Sequence, residues 1–360
     1  MIDATSLFEV AEEITSSTDL DTVLQKIGLV AKKLLNCEAS SIMLFDDGRK
    51  NLYFKVATGE KGKAIQKFVV PVGVGVAGWV GQNLSPVIIE DTSKDPRFTG
   101  QFDKSSGFVT KSLICVPMFA KGEPLGIVEV LNKKEGLFND KDKALLTHLA
   151  GLAAIAISNA RLVETQRNFF AHILEVLALA VESLGPRYVG RPWRSQRLAS
   201  YIGRRLGMDP KELASLAHAS LLYDIGLLAQ NNSRYLEMAG LTMPKISANG
   251  KAEGVHAVLG EQILSGVELF RGALPMIRHH HENYDGTGHP DRLKGEAVPL
   301  GARIIALVDA VEEVRFQLKN APAQQLKTQL KIEISNLRST RLDPRVAEAF
   351  LAMIEEEEIV

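Results

Sequence analysis

The segment from Arg278 to Pro290, RHHHENYDGTGHP, concentrates the side chains of this chain that are best suited to metal chemistry. It holds four of the eight histidines together with Glu282 and Asp285, and it contains a glycine-rich turn. Imidazole nitrogens beside carboxylates are ligands that suit borderline metals such as iron, manganese and zinc. The segment therefore predicts a site for a divalent metal ion.

The bulk composition indicates a globular protein with two or more domains. The chain has 360 residues, of which 46% are hydrophobic and 24% charged, enough for more than one core. The formal net charge of −1 and the lack of a basic stripe argue against a nucleic-acid polymer as partner.

The cysteines and the N-terminus favour the cytoplasm. Cys37 and Cys115 lie in apolar, strand-like sequence, which predicts free thiols in a reducing compartment. The N-terminus is acidic where a signal peptide would be basic. The longest near-apolar run, Leu149 to Ile157, is about half of what spans a bilayer. We expect a cytoplasmic protein that does not enter a membrane.

The first half of the chain has the patterns of a mixed helix and sheet domain. Apolar residues recur every three or four positions from Ser6 to Leu35, which predicts one or two helices. Period-two alternation follows, and an Asp-Asp-Gly turn after SSIMLF indicates a hairpin. Helical periodicity returns from Asp140 to Ser158, so we expect a sheet flanked by helices.

A long connecting helix is predicted at about residues 145–184. Its apolar seam advances alternately by three and four residues, as in a coiled coil. The seam consists of Leu149, Leu152, Ala156, Asn159, Val163, Gln166, Phe170, Ile173, Leu177, Ala180 and Leu184. The first half of this helix is expected to pack on its own domain. From Ala160 to Ala171 a helix shared by a homodimer is favoured over one that packs within a single chain, and from Gly185 onward only helices are expected.

Residues 1–162 resemble a GAF domain, a small-molecule sensor module. The resemblance is carried by ASSIMLF, VGVGVAGWVGQNLSPVIIEDTSKDPRF and SLICVPMFAKGEPLGIVEVLNKKEGLFNDKD. It implies an α+β fold with an antiparallel sheet flanked by helices, and it leaves the ligand undetermined. The glycines of VGVGVAGWVGQ would either let backbone N–H groups approach an anion or make tight turns.

A short signature strengthens the GAF resemblance. Asn132, Lys133, Phe138 and Asp142 match the Asn-Lys…Phe…Asp signature of GAF domains in cyclic-nucleotide phosphodiesterases, although Lys143 follows where a second acid is usual. We interpret the signature as scaffold, in which a Lys to Asp ion pair and a buried Phe tie the last strand to the closing helix.

Residues 167–360 resemble the HD-GYP family, metal-dependent phosphodiesterases of cyclic di-GMP signalling with an all-α fold. The matching blocks are SLLYDIGLL, GVHAVLGEQIL, MIRHHHENYDGTGHPDRLKGEAVPLGARIIALVDAVEEV and RLDPRVAEAFL. The resemblance implies phosphodiester hydrolysis, in which two or three divalent ions bridge a hydroxide and stabilise the leaving oxygen. Five metal ligands of the family are retained, namely Asp224, His256, His280, His281 and Asp309.

Other positions of the family pattern are lost. Tyr223 replaces the His of the His-Asp pair, Arg194 replaces the first ligand His, and Leu227 replaces the Lys after Asp-Ile-Gly. His289 stands at the Tyr of Gly-Tyr-Pro, and Gly190 stands where three-metal members have a Glu. The segment VRFQLKN also lacks the family's phosphate-contacting residues.

These losses predict a centre with one ion at most. One metal position is expected to be empty, because Arg194 would bring a fixed positive charge toward it. The neighbouring position keeps one carboxylate and three imidazoles, which could hold a single iron, manganese or zinc ion. Tyr223 is expected to be a packed phenol, since its ordinary pKa lies near 10.

The other polar residues of the segment have more than one interpretation. His279 would point about 100° away from His280 on a helix, so we expect it not to be a ligand. His289 is either a replacement ligand or a solvent-facing substitution, and the second is favoured. Glu282 and Asp285 either orient ligands or shape the turn, and the glycines favour the turn for Asp285.

The residues and the two resemblances are compatible with three functions. The leading one is a bacterial-type signalling protein whose GAF sensor controls a degenerate HD-GYP-like domain that binds a cyclic dinucleotide or a signalling-protein partner with little or no hydrolysis. The second is an active cyclic di-GMP phosphodiesterase with an altered metal centre, which works either with one ion or with Tyr223 or His289 as an unusual ligand. The third is a pure protein-interaction scaffold.

Overall fold

The computed structural model describes residues 19–59, 65, 67–230, 236 and 254–356. Within them the chain forms two compact units, and the boundary along the sequence lies between Asn168 and Phe169. The start of the helical region predicted from Ser6, residues 6–18, lies outside the described residues.

The first unit is an antiparallel six-stranded sheet with helices, as the sequence predicts. The sheet has the strand order β3-β2-β1-β6-β5-β4. The strands are β1 Cys37–Phe45, β2 Asn51–Ala57, β3 Val69–Pro71, β4 Val87–Ile89, β5 Leu113–Ala120 and β6 Glu123–Lys133. The helices are α1 Leu20–Leu34, α2 Gly75–Asn83, α3 Gln101–Ser106 and the start of α4 Asp140–Glu182.

The predicted hairpin joins β1 to β2. The two strands pair antiparallel, with Met43 opposite Phe54. Asp46 closes the turn, because its carboxylate accepts hydrogen bonds from the backbone N–H groups of Lys50 and Asn51. This side-chain bonding explains why the chain reverses directly after the apolar run.

The central strands bury side chains on both faces of the sheet. Val128 and Val130 of β6 belong to a cluster with α1 and α4, whereas Ile127 belongs to a cluster on the other face with α2. The alternation of successive residues between faces produces this division. It leaves Glu129 on the same face as Ile127.

The glycines just before α2 and in its first turns have turning and packing roles. Gly73 and Gly75 have φ values of +88° and +68°, which other residues rarely adopt. A Cβ atom on Gly78 would lie 2.4 Å from the carbonyl oxygen of Pro71. These three positions therefore require glycine for the local backbone geometry.

The signature residues link β6 to α4. Lys133 forms an ion pair with Asp142, and its ammonium lies 5.4 Å from the ring centroid of Phe138, which is buried. Asn132 accepts a hydrogen bond of 2.6 Å from the Lys111 backbone and donates one of 2.7 Å to the Val109 carbonyl. Lys133, Phe138 and Asp142 therefore connect the end of β6 to the start of α4, and Asn132 connects β6 to the segment that precedes β5.

Both cysteines are reduced and buried in this unit. Burial raises the pKa of the Cys37 thiol to about 11 and raises that of Cys115 well above its usual value. Neither side chain reaches solvent, with exposures of 1% and 0%. Both thiols are therefore protonated and unreactive at neutral pH.

Helix α4 connects the two units. Its first part packs in the core of the sheet domain through Leu146, Leu149 and Ala153, which are fully buried. From Arg161 to Ile173 every residue is exposed, and burial resumes at Ala178 in the core of the second unit. The middle of the helix thus has no partner among the described residues.

The same helix is the one described segment long and apolar enough to cross a membrane by length and composition. Of its most apolar window, 39% is buried inside the protein. Core helices of soluble domains share these properties, so the helix is weak evidence for a membrane span.

The second unit is all helical in its described part. Its helices, after the end of α4, are α5 Arg191–Arg205, α6 Pro210–Leu222, α7 Leu227–Gln230, α8 Val255–Leu264, α9 Leu274–Arg278, α10 Leu300–Gln317, α11 Ala323–Leu337 and α12 Pro344–Glu355. Helix α10 lies at the centre, because it buries side chains on most of its surface. Asp209 begins α6 with a capping box to Glu212.

Candidate metal centre and sensor cavity

Three histidines of the second unit converge on one point. His256 is on α8, and His280 and His281 follow the end of α9. The Nε2 atom of His256 lies 3.2 Å from that of His280 and 3.1 Å from that of His281. The Nδ1 atom of His280 lies 2.6 Å from the carbonyl oxygen of Ile277. A carbonyl oxygen can only accept a hydrogen bond, so Nδ1 of His280 carries the ring proton. The Nε2 atom of the neutral ring therefore presents a lone pair to its neighbours.

The three imidazoles are neutral at physiological pH. Burial lowers the pKa of His256 to about 4. Burial, reinforced by the neighbouring imidazoles, lowers the pKa values of His280 and His281 well below the usual value. Neutral imidazole is the form that binds a metal ion.

A carboxylate lies beside the three histidines. The Oδ1 atom of Asp224 is 3.8 Å from Nε2 of His256, and one nitrogen from each histidine lies within 4.8 Å of the others. Three imidazole nitrogens around a single point, with Asp224 beside His256, are donors that suit one zinc, iron or manganese ion. These residues fit one divalent ion.

The next position is taken by an arginine. The Nε atom of Arg191 lies 3.2 Å from Oδ2 of Asp224, and its Nη2 donates to Oδ1 of Asp309 at 2.5 Å. Arg341 donates to the other oxygen of Asp309 at 2.8 Å. Both oxygens of Asp309 are thus bound by arginines, so the residues at this position do not fit a second ion.

The two carboxylates differ in their pKa values. Burial raises the pKa of Asp224 to about 7, although Arg191 opposes the rise. Burial also acts to raise the pKa of Asp309, but Arg191 and Arg341 outweigh it, so the pKa lies below the usual value. Asp309 is the more firmly charged member of the pair.

Tyr223 is a packed phenol, as expected from the sequence. It is 1% exposed, and its hydroxyl accepts a 2.9 Å hydrogen bond from Nε of Arg191. Burial raises its pKa well above 10, which leaves no phenolate for a metal at neutral pH. Its ring lies edge-on to His280, with centroids 5.1 Å apart.

The expectation for Arg194 is wrong. Its side chain is 40% exposed and forms an ion pair with Glu312, with Nη2 and Oε2 2.6 Å apart. It therefore does not approach the metal position. The helix begins at Arg191, after Gly190 in a left-handed conformation, and Arg191 supplies the inward charge instead.

Other residues of the histidine-rich segment shape the loop. Glu282 is buried and accepts hydrogen bonds from the backbone N–H groups of Asp291 and Leu293. Asp285 accepts two from Thr287. His279 lies outside the three-histidine cluster, with Nδ1 3.7 Å from Glu282.

The side chains of His289 and Leu227 are not part of the three-histidine cluster. His289 is half-buried and donates from its backbone N–H to the His281 carbonyl. Leu227 begins α7 and offers no ligand atom. Neither side chain adds a donor to the set formed by Asp224 and the three histidines.

Arg191 and Arg341 are site residues that the sequence patterns did not predict. Arg191 lies three residues before Arg194 on the same helix, and Arg341 lies in the RLDPR block that the family resemblance covers. Arg191 follows Gly190 at the first position of its helix, but no feature of the sequence marked it as a site residue.

The first unit contains a cavity of about 100 Å³ on one face of its sheet. Its walls include the aromatic residues Phe54, Phe98, Phe102 and Phe108. Glu129 also lines the cavity and is 8% exposed. Its Oε1 atom accepts a 2.7 Å hydrogen bond from Ser41. Glu129 was not predicted as a site residue, although a lone acid within the apolar run GIVEVLN was visible.

Family models match both units. The model for the GAF domain matches residues 17–158, and the model for the HD domain matches residues 175–346. The chain consists of a GAF domain followed by an HD domain. This domain architecture fits a soluble signalling protein with a GAF sensor and a phosphohydrolase-like domain.

Curated relatives include phosphodiesterases. The cyclic di-GMP phosphodiesterase response regulator RpfG of Xanthomonas campestris pv. campestris is 32% identical over 161 residues, which cover 44% of this chain and 41% of that protein. The probable 3',5'-cyclic phosphodiesterase pde-5 of Caenorhabditis elegans is 28% identical over 185 residues, covering 48% of this chain and 25% of that protein. The chain spans less than half the length of these relatives.

Solved structures include a similar GAF domain. The GAF domain from an Acinetobacter phosphoenolpyruvate-protein phosphotransferase is 22% identical, with a TM-score of 0.40. The match covers 45% of this chain and 96% of that one.

We expect Glu129 to make the stability of the GAF domain depend on pH. Burial raises the pKa of Glu129 from 4.5 to about 7, so the folded state holds the proton more tightly than the unfolded state. The contribution of Glu129 to the free energy of unfolding is fully present below pH 4.5. It is lost as the pH rises through 7, which lowers the free energy of unfolding by roughly 3 kcal/mol. Glu129→Gln should remove this fall, because the amide stays neutral.

The measurement is urea unfolding of the full chain at pH 5 and pH 8. Trp79 lies in the GAF domain and Trp193 in the HD domain, so a Trp193→Phe background lets fluorescence follow the GAF domain alone. Glu123→Gln, at an exposed site on the same strand, is the matched control. Equal pH dependence in the Glu129→Gln variant and the parent would contradict the prediction.

Proposed function

We propose that the GAF domain senses a small molecule and controls an HD domain that binds a nucleotide or a protein partner with little or no hydrolysis. The observation that supports this most strongly is the state of Asp224 and Asp309. Both are ion-paired to Arg191, so one oxygen-rich metal position is occupied by protein charge. A two-ion clamp on the attacking and leaving oxygens then cannot assemble.

The proposal includes one divalent ion. HD-domain phosphohydrolases are generally dependent on divalent metals, and His256, His280, His281 and Asp224 would hold an iron, manganese or zinc ion. Such an ion supplies a Lewis acid that can orient a phosphate. The buried histidines provide neutral nitrogen donors, and the backbone bond from His280 fixes the direction of its lone pair.

The nucleotide proposed for the HD domain is a cyclic dinucleotide. The similarity to RpfG, described as a cyclic di-GMP phosphodiesterase, supports testing this compound first. Binding and hydrolysis of cyclic di-GMP should be measured on one purified sample together with its metal content. We expect binding without turnover and at most one ion per chain.

Other outcomes would favour the other functions. Robust metal-dependent cleavage that disappears in His280→Ala, with two ions per chain, would establish an active phosphodiesterase. Signalling output that survives simultaneous replacement of His256, His280 and His281, without nucleotide binding, would establish a protein-interaction scaffold.

We also propose that the chain forms a homodimer in the cytoplasm through α4. The segment from Arg161 to Ile173 is exposed on all sides, and a single helix without partners is marginally stable in water. Val163, Phe170 and Ile173 lie on the predicted seam and are 63%, 40% and 36% exposed. A second copy of the helix would bury them, as in a two-stranded coiled coil.

We expect Phe170→Glu to dissociate this dimer. The change would place two carboxylates opposite each other in the seam and remove two buried rings, weakening association roughly 100-fold. Sedimentation equilibrium of the full chain measures the effect. Asn168→Glu adds the same charge on the opposite side of the helix and should leave the dimer intact. A monomeric parent protein would contradict the proposal.

A further inference from the structure

We propose that Arg191 replaces the second metal ion, since its guanidinium supplies the positive charge that Asp224 and Asp309 require and excludes a second divalent cation. The inference rests on the proposed function and deepens it, because it concerns the same site. Its test measures bound metal and thermal stability, so it can fail independently of any result on hydrolysis.

The position of the guanidinium supports this replacement. Its Nε atom lies 3.2 Å from Oδ2 of Asp224, and its Nη2 donates to Oδ1 of Asp309 at 2.5 Å, so the guanidinium lies between the two carboxylates. The Arg191 side chain is only 4% exposed. A buried charge of this kind is tolerated where opposite charges and hydrogen bonds compensate it. The ion pairs of Arg191 with the two carboxylates therefore belong to the buried core of the domain.

Tyr223 belongs to the same arrangement. Its hydroxyl accepts from Nε of Arg191 at 2.9 Å, and the guanidinium lies 5.6 Å from the ring centroids of both Tyr223 and Tyr188. The phenol stands where the family resemblance expects a histidine ligand. Tyr223 therefore has two effects at this position, because it stands in place of a metal ligand of the family pattern and also binds the arginine that pairs with the two carboxylates.

The charges at this position are balanced without an ion. Asp224 and Asp309 face Arg191, and Arg341 adds a second guanidinium at 2.8 Å from Asp309. A divalent cation at the same place would meet a fixed positive charge that cannot be deprotonated. Among the described side chains, no guanidinium hydrogen-bonds to His256, His280 or His281, so the two positions should differ in metal binding.

The test compares manganese binding by the full chain and its variants after chelation and dialysis. Arg191→Ala removes the guanidinium between Asp224 and Asp309 and leaves Arg341 as the one arginine on Asp309 among the described contacts, so it should lower the melting temperature without metal and bind one more Mn²⁺ per chain than the parent. Added Mn²⁺ should raise its melting temperature by more than it raises that of the parent. Arg191→Lys keeps the charge and should bind no additional ion.

Two further variants keep the result interpretable. Arg191→Gln is neutral but retains a donor for Tyr223, so it should fold if Arg191→Ala does not, and it should also bind the extra ion. Arg194→Ala removes an arginine of the same helix that pairs with the buried Glu312. Any loss of stability in Arg194→Ala should not be reversed by Mn²⁺. Equal Mn²⁺ stoichiometry in the parent and both neutral Arg191 variants, or two ions in the parent, would overturn the inference.

Discussion

Replacement of His280 by alanine is expected to reduce the affinity of the HD domain for a divalent ion by about 100-fold or more. His280 is 1% exposed, and its Nε2 lone pair is directed at the point where His256 and His281 meet. Changes to groups that merely orient a ligand cost 10- to 100-fold, and loss of the ligand itself should cost at least as much. Metal content after dialysis and competition with a chelator measure the change.

The neighbouring residue provides the control for this experiment. His279→Ala removes an imidazole that lies outside the cluster and faces Glu282, so the ion should be retained. Circular dichroism of both variants separates loss of the ion from loss of the fold. Retention of a full equivalent of metal by His280→Ala would show that the three histidines are not the binding site.

Replacement of Gly226 by alanine is expected to have the largest effect on folding of the HD domain. A Cβ atom at this position would lie 2.0 Å from the carbonyl oxygen of His256 and 2.7 Å from the backbone nitrogen of Gly260. Backbone atoms of α8 cannot rotate away, so the helix must shift and take His256 with it. Overpacking costs 1–3 kcal/mol in typical cores, and we expect about 3 kcal/mol here, together with weaker metal binding.

Gly266 is the matched control, because a Cβ atom there would meet nothing within 4 Å. Gly266→Ala should leave both thermal stability and metal content unchanged. If Gly226→Ala unfolds at the same temperature as the parent and binds metal equally well, the close approach of α8 to this turn is not required.

The fold could be predicted from local patterns because each pattern has a direct structural cause. The period-two run before Asp46 becomes β1, and the turn residues that follow reverse the chain. The long seam becomes α4, and its first half packs on the sheet through Leu149, as expected from the sequence. Such features depend on neighbours in sequence, which the sequence displays directly.

The arginine that occupies the second metal position was harder to predict from the sequence. Arg191 and Arg194 lie one turn apart on α5, and nothing local distinguishes which of them turns inward. The choice depends on partners distant in sequence, since Asp309 and Tyr223 attract Arg191 while Glu312 attracts Arg194. The family pattern marked Arg194 as a lost ligand position but could not show which guanidinium fills the space.

Glu129 illustrates the same limit in the GAF domain. Strand alternation places its side chain on one face with Ile127, but only the folded sheet shows that this face encloses a cavity walled by phenyl rings. The contact with Ser41 joins residues 88 positions apart in sequence. The sequence shows an acidic residue within an apolar strand. It does not show that Ser41 is the partner of this residue or that a cavity lies beside it.

The shielding of Cys37 and Cys115 has a practical consequence. Alkylating reagents attack the thiolate, and both native thiols are protonated and closed to solvent. A cysteine introduced at exposed Thr165 would therefore be the sole site for a nitroxide or fluorophore. Distances between labels on two copies of the chain could then be recorded by spectroscopy without replacing a native cysteine.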